Sequence, residues 1–309
     1  MREMDPSPII RRFVKGGAFT SGGPLLILDE FDGSAVRRIQ LPIVGQTIAL
    51  QRLRSRRCTG FYDLRTFAEF TCPSFRKLPE GGGTQCAECF RRSGFNPAFY
   101  NVLRSELSEQ QQAYNLEPHA VYLASFGQGL VKVGISNARR LRTRILEQGA
   151  LAAAIVATVP DAYEARTIER RVSEHLGLTE ALTGRAKRLA LRALTDPAEP
   201  MTSLEAALPG LERLRLPGAT REIVGGIASA YGARSDDLGF LAEPIIDLSD
   251  TRPLAIGGVG RALVGSTLLV EHGRLGLTAV SLQRLVGHGV AQAAPEPAVP
   301  DDQRQQALL

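Results

Sequence analysis

The pattern of apolar and polar positions divides the chain into strand-like ends and a mixed centre. Short apolar or alternating runs at residues 24–29, 35–41 and 47–53 predict β-strands. Gly22-Gly23, Asp32-Gly33-Ser34 and Gly45 punctuate them as turns, and Asp32-Gly33 suits a hairpin. Residues 97–113 predict a helix, with Asn96 as N-cap, Pro97 at the first helical position and an apolar stripe of Phe99, Val102, Leu103 and Leu107. Its polar end, residues 109–112, reads as a solvated spacer between two domains. Residues 120–126 and 130–135 predict a hairpin turned at Gly127-Gln128-Gly129. A helix over 138–148 closed by Gly149, a strand over 151–159 and a helix over 162–176 closed by Gly177 follow. A second helix is expected over 179–194, with basic positions Arg185, Lys187, Arg188 and Arg192. The order β-β-α-β-α-α predicts a small three-stranded sheet with helices packed on it.

Beyond this centre the pattern changes again. Pro197, Pro200, Pro209 and Pro217 give residues 197–217 the look of a linker, and residues 219–231 read as a short helix. Glycine-rich apolar runs at 253–260, 262–270 and 275–285 predict a small β domain. The expected fold class is α+β. Its units are a β unit with a cysteine segment (1–95), a connecting helix (96–118), a central α/β domain (119–195), a linker with short helices (196–242), a small β domain (243–290) and a disordered tail (291–309).

Composition narrows the setting. No apolar run approaches the ~20 residues that span a bilayer, and residues 1–14 lack the apolar core of a secretory signal. A cytoplasmic protein without a membrane partner is therefore expected. The net charge is +5, and lysine occurs only at Lys15, Lys77, Lys132 and Lys187, so arginine carries nearly all of the positive charge. That balance permits a nucleic-acid partner, DNA or RNA. Oligomeric state is not legible.

The four cysteines, Cys58, Cys72, Cys86 and Cys89, fall in one short segment. Cys86-Ala87-Glu88-Cys89 is a knuckle that lets two thiolates meet one metal, while Cys58 and Cys72 stand singly. Without a secretory signal, such a cluster points to a structural Zn²⁺ rather than to disulfides. The glycine-rich loop at residues 79–83 reads as flexible. His119 reads as a strand-start cap or surface residue, with completion of the zinc set as an alternative. His175, near a helix end, reads as a partner of the helix dipole.

The order Val121-Tyr122, Lys132-Val133-Gly134, an arginine helix and a helical Glu169 resembles the GIY-YIG nuclease superfamily over residues 119–177. The cysteine segment together with His119-Ala120-Val121-Tyr122-Leu123-Ala124, Lys132-Val133-Gly134-Ile135 and Glu147-Gln148-Gly149-Ala150 resembles more closely a bacterial and archaeal family catalogued only as a domain of unknown function, over residues 45–195. The superfamily resemblance implies that Tyr122 positions or deprotonates a water, that Glu169 holds Mg²⁺ or Mn²⁺, and that an arginine supports developing charge. Arg140, Arg142 and Arg144 are the choices for that arginine, with Arg144 favoured by its spacing to Glu147-Gln148-Gly149. Lys132 stands where the second motif has tyrosine, a departure that bears directly on hydrolysis. The resemblance gives Ser136 the hydroxyl after that motif, and Gly134 fits a close helix–strand approach.

Glu169 also has a local argument. It lies beside an apolar stripe of Ala165, Ile168, Val172 and Leu176, so its carboxylate needs a metal or an arginine, Arg140 or Arg144. Arg166, Arg170 and Arg171 read as solvated. Three functions follow as expectations: a GIY-YIG-type endonuclease or hydrolase, a non-catalytic zinc-containing nucleic-acid binder, or the same fold re-used on a small-molecule or tRNA-carried substrate. In the last, Tyr122, Lys132 and Glu169 would be acid–base groups.

Overall fold

The computed structural model describes residues 11–233, 238–251 and 254–292. Most of the expected tail, from residue 293 on, lies outside them. The chain opens with strands β1 (Arg11–Thr20), β2 (Gly23–Phe31), β3 (Val36–Pro42) and β4 (Thr47–Arg56). The turn between β2 and β3 is built by Asp32, whose carboxylate accepts the Ser34 and Ala35 N–H groups, both at 2.8 Å. These bonds hold its carboxyl down at about 2.

A cysteine segment follows, with strands β5 (Phe61–Tyr62) and β6 (Glu69–Phe70) and helix α1 (Ala87–Ser93). The helix expected over 97–113 is broken. Residues 99–101 and 104–106 form separate 3₁₀ turns, and α2 (Glu109–Asn115) starts afresh at Ser108, whose hydroxyl accepts the Gln111 N–H. Nor is its polar end a solvated spacer. Gln111 is fully buried and exchanges two 2.7 Å hydrogen bonds with the Asn96 backbone, which folds the segment back on its own start.

The centre comprises β7 (His119–Ser125), β8 (Val131–Asn137), α3 (Leu141–Gln148), β9 (Ala152–Val159) and α4 (Ala162–Leu176). Then come α5 (Gly184–Arg192), α6 (Glu199–Ala207), β10 (Ala219–Ile223) and α7 (Ile227–Tyr231). The expected β-β-α-β-α order is present. The sheet has four strands rather than three, in the order β10-β9-β7-β8, because part of the stretch expected to be a helix over 219–231 pairs with β9. The stretch expected to be a linker is structured as well. Pro200 sits in the first turn of α6, where no intrahelical N–H is required, and Leu204 and Leu211 are buried.

The chain ends with β11 (Ile245–Asp247), β12 (Ala255–Val264), β13 (Thr267–His272), β14 (Gly276–Ser281) and β15 (His288–Gln292). These strands do not make a sheet of their own. They join the first four in one nine-stranded sheet, β11-β14-β13-β12-β4-β15-β1-β2-β3. Leu50 of β4 lies opposite Ile256 on one side and Gln292 on the other. The two sheets also share a core. Ala120, Tyr122 and Ala124 of β7 and Ile145 of α3 belong to one buried cluster with Val264, Leu269 and Ala279 of the large sheet. The other face of β7, Val121 and Leu123, packs with Ile168 and Val172 of α4 and Leu204 of α6. Every residue of β7 is buried, as expected of a strand covered on both faces.

This interleaving makes a direct prediction. A chain stopped after residue 242 leaves both edges of β4 unpaired and strips Val264, Leu269 and Ala279 from the shared core. It should lose cooperative thermal unfolding, whereas a well-dispersed amide spectrum from that fragment would show that the N-terminal part folds alone.

Candidate functional site

The cysteine segment is positioned by the end of β4. Arg56, almost fully buried, donates to the carbonyls of Pro79, Gly82 and Gly83 at 2.8, 3.0 and 3.1 Å. The loop expected to be flexible is therefore pinned by one guanidinium. Gly60, at φ +83°, lets the chain pass under β6, since a Cβ there would lie 1.8 Å from the Phe70 carbonyl oxygen. Cys58, Cys72, Cys86 and Cys89 converge, with their sulfur atoms all within 4.8 Å of one another. A tetrahedral Zn–S₄ site has sulfurs about 3.8 Å apart, from Zn–S bonds of about 2.3 Å. The Cys72 and Cys86 sulfurs are 4.0 Å apart.

The Cys58 sulfur accepts N–H groups of Gly60 and Cys86, as metal-bound thiolates commonly do. Burial opposes ionisation of Cys72. Hydrogen bonds from the Arg76 backbone and from Ser74 overcome it and lower that thiol to about 7. Four buried soft ligands, with no fifth donor grouped with them among the described residues, fit a closed structural site that can hold a metal such as zinc. His119 is not in the set: it is buried, and its Nδ1 donates to the Glu117 carbonyl at 2.8 Å, which leaves Nε2 as an acceptor. Burial lowers its pKa and keeps it neutral. His175 contacts the Gly210 carbonyl at 3.1 Å.

A second constellation lies on the hairpin. Tyr122 is fully enclosed, and its hydroxyl accepts Gln148 Nε2 at 2.9 Å. Gly134 lies opposite it on β8, and a Cβ there would come 2.8 Å from the phenol Cζ and oxygen. That glycine makes room for the Tyr122 ring across the strands, not for a helix. Burial raises the phenol to about 12 against the opposing charge of Arg144. Lys132, opposite Ala124 and so on the same sheet face as Tyr122, is buried and donates to the Glu180 carbonyl at 3.3 Å. Burial, reinforced by Arg144, lowers its ammonium to about 8.

Glu169 is also buried, and burial pushes its carboxyl up while Arg166 pulls it down. Its partner is neither Arg140 nor Arg144. Arg166, expected to be solvated, donates to Glu169 at 2.6 Å and to Glu180 at 2.7 Å. Arg140 pairs with Glu147 at 2.9 Å, and Arg142 donates to the Gly225 and Gly226 carbonyls. Arg144 is exposed, and among the described residues no carboxylate is paired with it. Ser136 is buried and donates to the Asn137 carbonyl.

The fold thus gathers Tyr122 from β7, Lys132 from β8, Arg144 from α3 and Glu169 from α4 within electrostatic reach of one another. It adds Gln148, Arg166 and Glu180, which the sequence reading did not select. The i,i+3 spacing of Arg166 and Glu169 was the available signal. A divalent cation does not fit at Glu169 in this arrangement, because the Arg166 guanidinium already fills the position between the two carboxylates.

Residues 45–193 match a family described as protein of unknown function (DUF2797). No curated protein and no solved structure matches the chain. The matched stretch contains all four cysteines and the whole hairpin cluster and stops short of β12–β15. Among the described residues no helix is long and apolar enough to cross a membrane.

Two measurements follow. Elemental analysis of purified protein should find about one zinc per chain, and Cys89→Ser should remove it and open residues 58–95 to protease. Metal-free protein with four freely titratable native thiols would overturn the metal centre. The second concerns Lys132. Between about pH 8 and 10.5 the unfolded chain keeps the lysine proton that the folded chain has released, so folding gains stability as pH rises through that window. At ~1.4 kcal/mol per pH unit the burden at pH 7 is about 3 kcal/mol. Lys132→Met should therefore unfold at a higher temperature than the parent at pH 7 and lose that advantage near pH 10.5. An equal difference at both pH values would contradict it.

Proposed function

We propose that this protein binds nucleic acid without cutting it, through a GIY-YIG-like hairpin domain beside a four-cysteine metal module. The observation that carries the non-catalytic part is the closure of Glu169 and Glu180 on Arg166. The carboxylate that would hold a catalytic cation is satisfied internally. Tyr122, which would address water, is sealed from it. Lys132 in place of the second tyrosine points the same way. The nucleic-acid part is supported by the net charge of +5, by the arginine-rich start of α3 and by the exposed, carboxylate-free Arg144.

A second reading, phosphodiester hydrolysis, is favoured by one observation: Tyr122, Lys132, Arg144 and Glu169 gather from four separate elements. Functional sites concentrate perturbed groups in this way, although a buried structural network does the same.

Fluorescence anisotropy with labelled DNA and RNA, single- and double-stranded, separates the two. Binding should weaken steeply with salt, Arg144→Gln should weaken it for all sequences alike, and no strand should be cut in Mg²⁺ or Mn²⁺. Cleavage that is stopped by EDTA and by Glu169→Ala moves the assignment to hydrolysis. Absence of binding to every strand at low salt removes both readings.

A further inference from the structure

Between the cysteine module and the hairpin domain lies a cavity of about 450 Å³. That size suits a ligand of nucleotide dimensions. Its floor contains an anomaly. Asn115, at the end of α2, is 1 % exposed, and neither its amide nitrogen nor its amide oxygen has a hydrogen-bond partner. The Tyr62 hydroxyl, on the module side of the same cavity, is likewise buried without a partner. Burying such groups unpaired costs free energy, and native proteins rarely leave them so. The contrast within α2 is direct. Gln111, one turn earlier and equally buried, has its amide oxygen and nitrogen both engaged by the Asn96 backbone.

The rest of the wall says what would satisfy them. Phe90 and Phe95 line the cavity and remain 64 % and 44 % exposed, so flat apolar faces are offered at its mouth. Arg140 lies over the Tyr62 ring at 4.7 Å, and Arg144 lines the opening. No carboxylate belongs to the lining. A primary amide presents a donor and an acceptor side by side, matching the edge of a nucleobase. Aromatic faces stack on a base, and arginines take a phosphate.

We propose that this cavity is a base-recognition pocket that takes one unpaired nucleotide, its base read by Asn115 and Tyr62 between aromatic faces and its phosphate held by Arg144. The inference deepens the nucleic-acid reading and rests on it for the case in which the nucleotide belongs to a strand. The same chemistry would accept a free mononucleotide.

Calorimetric titration of the full-length, metal-loaded protein tests both sources. The probes are the four ribonucleosides, their 5′-monophosphates, inorganic phosphate, and a mixed-sequence single strand of about 12 nucleotides. A mononucleotide or the strand should bind, and Asn115→Leu and Tyr62→Phe should each weaken that binding about 10-fold or more. Asn115→Leu should at the same time leave the melting temperature equal or higher, because it removes two unpaired buried polar atoms without changing volume much. Arg144→Gln, a change at an exposed side chain, should weaken nucleotides but not nucleosides. Failure of every mononucleotide and of the strand to bind overturns the pocket. So does binding that both Asn115→Leu and Tyr62→Phe leave unchanged, and so does inorganic phosphate competing as well as nucleotide. Strand binding indifferent to these two substitutions removes the pocket and leaves the nucleic-acid reading in place. Mononucleotide binding without strand binding keeps the pocket and removes that reading.

Discussion

Strand β4 is held on both sides by strands from the far end of the chain, β12 and β15. Much of the rest depends on that pairing. It joins the two ends into one sheet, gives the hairpin domain a surface to pack on, and fixes where the cysteine segment begins. Arg56, opposite His288 in the ladder, turns its guanidinium into the module and collects three carbonyls. Two residues later Cys58 enters the metal cluster. The ladder, the pinned loop and the four sulfurs therefore form one mechanical path from the large sheet to the module.

The hairpin domain shows two ways of treating buried polar groups. Around Tyr122, Lys132 and Glu169 each side chain has a partner: hydroxyl on Gln148, ammonium on a carbonyl, two carboxylates on one guanidinium. Such partners fix geometry and offset part of the desolvation cost. In the cavity against the module, Asn115 and the Tyr62 hydroxyl are left open. Chemistry is more reasonably sought where polar groups lack partners than where they have them. That moves attention from the hairpin motif itself to the seam between the hairpin and the cysteine segment.

Local signals were legible where neighbours in sequence are neighbours in space. Gly149 and Gly177 close α3 and α4 in left-handed conformations, Asp32 builds its turn, and the hairpin falls where alternation placed it. The apolar stripe of α4 correctly put Glu169 at a core edge. Its partner was misread because Arg166 counted as one charge among several on a polar face. The break at 97–113 was hidden for a similar reason. Its apolar spacing is helical, but the buried Gln111–Asn96 exchange, which the sequence does not reveal, fixes the chain in another path.

The sequence by itself determined the turn at Asp32, the glycine-closed ends of α3 and α4, the order β-β-α-β-α and the gathering of four thiols, because these rest on backbone conformation and short spacing. Tertiary structure decided what long-range pairing controls. It merged the first and last strands into one sheet, since main-chain hydrogen bonding between strands leaves almost no trace in either strand alone. It chose Arg166 over Arg140 and Arg144 as the partner of Glu169. And it left Asn115 buried without a partner in a cavity that Arg144 also lines, a fact about what is absent around a side chain that no sequence pattern encodes.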